Sequence, residues 1–269
     1  MTSTHTADDE LRREAGFPRG ADDAGMARAE SNPHREPHRR RHPDRGFDST
    51  WPVKGAEGIR LLLAAIVVTG TGILVGFVLT DWTAPNAITR LDERITNWFV
   101  DGRTDTLDTF SKVVAFPADS IPKIIISALI CCYFLWRWRR WDEAVYVALP
   151  LVFEATCFIT ITRTVQRPRP AVDHVIHSTV DSSFPSGHVA AATVYVAVVI
   201  VVFRHTTAVW ARGLAVVLFV AVATGVYWAR LYQGVHFSSD VLAGIVLGVV
   251  SVLITDRVLR RRRRELEPR

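Results

Sequence analysis

Three polar clusters stand at the ends of hydrophobic runs in the second half of the chain: Arg167-Pro168-Arg169-Pro170, Pro185-Ser186-Gly187-His188, and Arg230 followed by His236 and Asp240. They bring together arginines, two histidines, a serine and a carboxylate. Such a set can hold a phosphate, attack it and protonate its leaving group without a metal.

Each cluster has a physical reason to be built as it is. Arg167 and Arg169 are each followed by proline, which limits the wandering of their guanidinium groups, and a planar fork matches phosphate oxygens in a bidentate way. Ser186 immediately precedes a hydrophobic run, so it is expected to cap a helix whose first amides point outward. Gly187 lets that backbone approach an anion, with His188 at the rim. His236 and Asp240 are four residues apart and share a helical face, where the carboxylate is expected to accept a ring N–H and aim the other nitrogen at a substrate. Arg230, six residues before His236, reaches the same pocket.

The elements that must position these residues are membrane spans. The chain has 269 residues, 49% of them hydrophobic, but its first fifth is polar and long apolar runs follow. A span needs about 20 apolar residues. Six are predicted, near 58–80, 121–136, 144–162, 188–204, 210–228 and 238–255, making this an all-α polytopic membrane protein. Residues 1–50, rich in charge and proline, are expected to form a disordered cytoplasmic tail. Residues 51–257 form the six-helix membrane domain and 258–269 a basic cytoplasmic tail.

Arginine placement orients the bundle. Arg137, Arg139 and Arg140, then Arg204 and Arg212, then Arg257 and the run Arg260 to Arg264 mark cytoplasmic loops and the C-terminal end. The connection 81–120 carries Asp81, Asp92, Glu93, Asp101, Asp105, Asp108 and Asp119 and belongs outside. Both termini are then cytoplasmic in a plasma-membrane protein, and all three clusters face the extracytoplasmic side. Topogenic charge and attraction to anionic headgroups explain the arginines, so no nucleic-acid partner is expected.

Within that external connection Ile88, Leu91, Ile95, Trp98 and Phe99 recur at helical spacing, which predicts an amphipathic helix on the membrane surface or against the bundle. Gly72 with Gly76, and Gly244 with Gly248, make small faces for close helix packing within the monomer. Cys131, Cys132 and Cys157 read as apolar fillers, with neither disulfide nor structural metal expected. Glu154, inside the third span, is expected to pair with an arginine or to bond a hydroxyl in protonated form. His174 and His177 lie in the loop after Pro170 and are left outside the site.

The ordered clusters resemble the type 2 phosphatidic acid phosphatase (PAP2) superfamily, with its pattern Lys-x6-Arg-Pro, Pro-Ser-Gly-His and Ser-Arg-x5-His-x3-Asp, over roughly 120–255. The resemblance implies a helical core and a phosphatase acting on a lipid phosphate or diphosphate through a phosphohistidine, with no cofactor. Phosphatidic acid, phosphatidylglycerol phosphate and a polyprenyl diphosphate all fit. It further implies that Arg169, Ser186, Gly187 and Arg230 hold the phosphate, that His188 is the general acid, and that His236 is the nucleophile oriented by Asp240. Two positions depart from the pattern. The motif lysine falls on Thr162, with Arg163 beside it, and both are candidates for the remaining phosphate contact; Ala229 replaces the serine before Arg230. The alternative is a non-catalytic scaffold or transporter that has lost activity with the lysine.

Overall fold

The computed structural model describes residue 53 and residues 55–82, 87–177 and 180–266. The polar N-terminal tail expected over 1–50 lies outside the described residues. Every regular element among the described residues is helical. The elements are α1 (Gly55–Phe77), continued by a π-helical turn (Val78–Trp82), α2 (Ala87–Asp101), α3 (Asp105–Ala115), a 3-10 turn (Phe116–Ala118), α4 (Ser120–Trp138), α5 (Trp141–Val165), α6 (Gly187–Val194), α7 (Val196–His205), α8 (Val209–Tyr232) and α9 (Ser238–Leu266).

Among the described residues six stretches are long and apolar enough to cross a membrane: Gly55–Thr80, Ser120–Trp138, Trp141–Val165, Gly187–His205, Val209–Tyr232 and Ser238–Arg260. Each overlaps a span predicted from the sequence and extends it by a few residues, because the polar caps at helix ends carry no hydropathy signal. The fourth span is two helices, α6 and α7, meeting at Tyr195, whose hydroxyl donates to the carbonyl of Pro117 (3.2 Å). The last helix runs on through the arginine series to Leu266.

The third, fourth and sixth spans form the inner layer, with about half of each buried, while the first, second and fifth are mostly exposed. The tightest seam is between α6 and α9. A side chain at Gly244 would come within 2.5 Å of the Ser186 carbonyl, and one at Gly248 within 2.6 Å of the Ala190 carbonyl. The Gly72 and Gly76 face is likewise filled by Ile161, Val165 and Phe184, so both small faces pack inside the monomer. Cys157 is a buried member of this core.

The arginine-rich ends of the spans meet one another. Asp256 accepts from Arg204 (2.8 Å), Arg260 (2.8 Å) and the Tyr146 hydroxyl (2.8 Å), and His205 bonds Glu143 (2.8 Å). The three polar clusters gather at the opposite ends of the same helices.

The amphipathic helix forms as predicted over Ala87–Asp101, with its polar face turned inward. Ile88, Leu91 and Trp98 are exposed, whereas Asp92 and Thr96 are buried. Exposed apolar and buried polar residues are the pattern of a helix whose outer face meets lipid and whose inner face meets a polar site.

Candidate active site

His236 lies in the short connection between α8 and α9 and is buried. Its Nδ1 is 2.7 Å from the Ser183 carbonyl. A carbonyl only accepts, so Nδ1 carries the proton and Nε2 presents a lone pair. The aiming partner expected from the sequence was Asp240, but Asp240 Oδ2 is 3.9 Å from Nδ1 and accepts instead from the Phe237 amide (2.8 Å). The first turn of α9 offers that amide directly beneath the carboxylate, and the loop carbonyl reaches the ring first. Asp240 thereby pins the turn that carries His236.

Asp240 is also one end of a buried ionic chain. Arg167 donates to Asp240 Oδ1 (2.5 Å), Ser239 Oγ (2.7 Å) and Asp92 Oδ2 (3.1 Å), with its guanidinium over the Phe237 ring. Asp92 in turn accepts from the Ser238 hydroxyl (2.6 Å) and the Ser239 amide (2.9 Å). Arg167 therefore braces α9 from below, while its neighbour Arg169 serves the pocket.

Arg169 is held by two carbonyls of the loop that follows it, Val180 (2.8 Å) and Ser182 (3.1 Å), and by that of Val235 in the α8–α9 connection. Burial lowers its pKa below the usual guanidinium value. The Val235 carbonyl that Arg169 holds belongs to the residue before His236, which sets the guanidinium beside that ring. Arg230, at the end of α8, donates to Gln233 Oε1 (3.1 Å) and Asp119 Oδ1 (3.0 Å); Gln233 is anchored on Ser111 Oγ of α3 (3.3 Å).

Ser186 occupies the N-cap position of α6, with extended backbone (φ −80°, ψ 105°), but its hydroxyl makes no capping bond. Its amide donates to the Asp240 carbonyl (3.1 Å), tying the turn to α9 and leaving Oγ buried without a hydrogen-bond partner among the described residues. Arg230 Nε is in the same condition. Gly187 opens the helix, where a side chain would strike the Phe158 ring at 2.8 Å. His188 Nε2 donates to Asp119 Oδ1 at 2.9 Å.

Asp119 is the site residue that sequence reasoning missed. It stands at the N-cap position of α4 without capping that helix through its side chain, and one carboxylate oxygen receives both His188 and Arg230. The His188 hydrogen bond, reinforced by the Arg230 charge, holds its pKa below the ordinary carboxylate value against the opposing effect of burial. In the sequence it is one acid among several in an acidic connection, and no spacing links it to position 188 or 230.

Of the two candidates at the motif-lysine position, Thr162 is buried and its Oγ1 has no hydrogen-bond partner among the described residues, whereas Arg163 is exposed. Neighbouring helical positions point about 100° apart, so the two side chains leave α5 in different directions. Glu154 has neither the arginine nor the hydroxyl expected of it, since both its buried oxygens lack a hydrogen-bond partner among the described residues.

A six-span helical bundle with two histidines, two arginines and a free serine at one end is a membrane protein built to handle a phosphoryl group. Residues 143–264, a little under half of the chain, match the model of the PAP2 superfamily, and the chain is a hydrolase. It is 27% identical over 165 residues, 55% of this chain and 79% of the relative, to an Escherichia coli (strain K12) protein named provisionally as an undecaprenyl-diphosphatase. It is 28% identical over 172 residues, 61% of this chain and 81% of the relative, to phosphatidylglycerophosphatase B of Bacillus subtilis (strain 168). The crystal structure of a transmembrane PAP2 type phosphatidylglycerolphosphate phosphatase from Bacillus subtilis shares the fold, with a TM-score of 0.60 at 20% identity, covering 79% of this chain and 98% of that one.

Proposed function

We propose that the chain hydrolyses a lipid phosphate or diphosphate on the extracytoplasmic face of the plasma membrane, with both termini cytoplasmic. The observation that carries this reading is the orientation of His236: a buried imidazole whose Nδ1–H is committed to a carbonyl, leaving Nε2 as the attacking atom. The relatives' names, an undecaprenyl-diphosphatase and a phosphatidylglycerophosphatase, support a lipid substrate. So does an apolar cavity of about 840 Å³ between the first span, α2 and the sixth span. Val75, Leu91, Leu242 and Val246 line it, and Pro185 and Ser238 bring it beside the site.

In the first step Nε2 of His236 attacks phosphorus in line, the P–N bond forming as the P–O bond to the leaving group breaks. Arg169, Arg230, the Ser186 hydroxyl and the Gly187 amide take the phosphoryl oxygens, and the buried Ser186 Oγ and Arg230 Nε are unpaired donors for that purpose. His188 gives its proton to the departing oxygen. In the second step His188 accepts a proton from water, which attacks the phosphohistidine and releases phosphate, restoring both imidazoles.

The test is phosphate release by purified protein from a panel of phosphatidic acid, phosphatidylglycerol phosphate and polyprenyl diphosphate, in detergent with chelator. Wild type is expected to hydrolyse at least one of them, and His236→Ala to fall to the protein-free rate with no acid-labile phosphoprotein. His188→Ala is expected to lower kcat by about 10²–10⁴-fold. Hydrolysis surviving His236→Ala would overturn the mechanism.

A further inference from the structure

Arg103 stands at the corner between α2 and α3, on a turn whose backbone is fixed on both sides. Its own amide donates to the Val100 carbonyl (3.2 Å), and the next residue, Thr104, caps α3. From that base the side chain reaches main-chain carbonyls 129 and 70 positions away. Nε and Nη2 both donate to the Tyr232 carbonyl (3.0 and 2.9 Å), and Nη1 donates to the Asp173 carbonyl (2.5 Å). Tyr232 is the last residue of α8, where a helix runs out of its own donors and a cation meets the negative end of the helix dipole. The same tyrosine is gripped at its far end, its hydroxyl donating to Asp108 Oδ1 (2.7 Å) and accepting from the Thr104 amide (3.0 Å).

The two carbonyls belong to the two segments that carry the proposed chemistry. Asp173 lies four residues after Arg169, and Tyr232 four residues before His236. One guanidinium thus ties the loop of the phosphate-clamping arginine to the connection of the nucleophile. The Val175 amide adds a rung by donating to the Gln233 carbonyl (3.1 Å). The fit is close: at Gly234, whose φ of +72° side chains rarely adopt, a Cβ would stand 2.6 Å from Arg103 Nη2 and 2.9 Å from Val172 Cγ2.

Arg169 bridges the same two segments through the Val235 carbonyl. In the mechanism above its fork turns to the phosphoryl oxygens, which loosens that bridge beside His236 while the imidazole has to stay in line with phosphorus. Arg103 has no such second duty, because each of its three nitrogens donates to main chain. We infer that Arg103 is a positioning residue of the reaction, a clamp that keeps His236 in register with Arg169 while Arg169 holds substrate. This rests on the phosphatase reading above. Arg103 touches no reacting atom and acts through the α8–α9 connection. A planar fork suits the task, since carbonyls on two segments are held at once, which a lysine's single ammonium does less rigidly.

The experiment compares Arg103→Met and Arg103→Lys with wild type, each as the full chain in detergent. Arg103→Met is expected to lower kcat by on the order of 10- to 100-fold, the effect of misplacing a reacting group by about an ångström, with KM changed less than about threefold. Arg103→Lys, which keeps the charge and can reach one carbonyl, is expected to fall between Arg103→Met and wild type. Backbone hydrogen exchange read by mass spectrometry checks the clamp without turnover. Peptides covering 170–177 and 233–237 are expected to exchange faster in Arg103→Met, and those of α5 and α9 at the wild-type rate. Wild-type kcat in either variant, or unchanged exchange over those two peptides, would overturn the inference. So would a loss of kcat that comes with faster exchange throughout the bundle, which is the mark of a structural brace. The two ways of failing are told apart by wild type: inactivity on every lipid phosphate defeats the phosphatase reading itself, while an active wild type with an unaffected Arg103→Met defeats this inference alone.

Discussion

A hydrogen bond to a charged partner contributes about 1.5–3 kcal/mol, and Asp119 accepts two, from His188 and from Arg230. Its side chain is 45% exposed, so water screens both and the lower end of that range applies. Asp119→Asn is expected to lower kcat about tenfold with little change in KM, because it loosens the acid and one clamp without removing either. Steady-state kinetics check this, and an unchanged kcat would make Asp119 a bystander. For His236 the sign is set by burial, then by the Arg169 and Arg230 charges, which together push its pKa well below 6.5. A lowered pKa keeps the ring neutral as pH falls through 6.5, so protonation of the nucleophile does not cut kcat/KM there. A pH profile whose acid limb sits at 6.5 and shifts in Arg169→Lys would contradict this. Seven of the nine residues put forward for the site from the sequence, all but Thr162 and Arg163, belong to the three clusters. Their roles were less legible than their identities. The partner of His236 is a loop carbonyl, and a carbonyl leaves no trace in residue type.

At the scale of elements, α2 and the α6–α9 seam matter most. Asp92 and Arg167 are 1% and 4% exposed as side chains. Removing one member of a buried pair leaves an uncompensated charge and costs about 3–5 kcal/mol. Asp92→Ala is therefore expected to lower thermal stability in detergent markedly, and to depress activity by freeing the turn that carries His236. Intact melting with lost activity would instead assign Asp92 to the chemistry. Gly244→Leu forces a side chain against the Ser186 carbonyl, already 2.5 Å from where a Cβ would sit. Overpacking of this kind costs about 1–3 kcal/mol and displaces Ser186 from the phosphate-binding position proposed for it, so kcat is expected to fall more than melting temperature does. The six spans were plain from hydropathy, and the glycine pairs from spacing. The amphipathic helix was visible too, but its direction was not, because a hydrophobic face can turn toward a core or toward lipid with the same periodicity. Asp92, Asp108 and Asp119 were read as topogenic charge, yet they bond Arg167, Tyr232 and His188 respectively. Counting charges cannot separate a solvated acid from a paired one.

For the whole molecule, the proposed orientation has a direct test. In a chain whose three cysteines are replaced by alanine, a new cysteine at Asp173 is expected to react with a membrane-impermeant maleimide on intact cells. One at Arg139 is expected to react only after permeabilisation. The opposite pattern would put the site in the cytoplasm. The ionic chain of Asp92, Arg167 and Asp240 also bears on how the protein comes into being. Its links join residues 75 and 73 positions apart, from the external connection, the end of the third span and the start of the sixth. During synthesis the first two exist well before the third emerges, so Arg167 waits with only half of its carboxylates and His236 is absent altogether. By the proposed mechanism the nascent chain is catalytically silent until its last span is threaded into the membrane. A ribosome that stalls before then leaves behind a product in which Asp92 alone faces Arg167 and the imidazole of His236 has never been made.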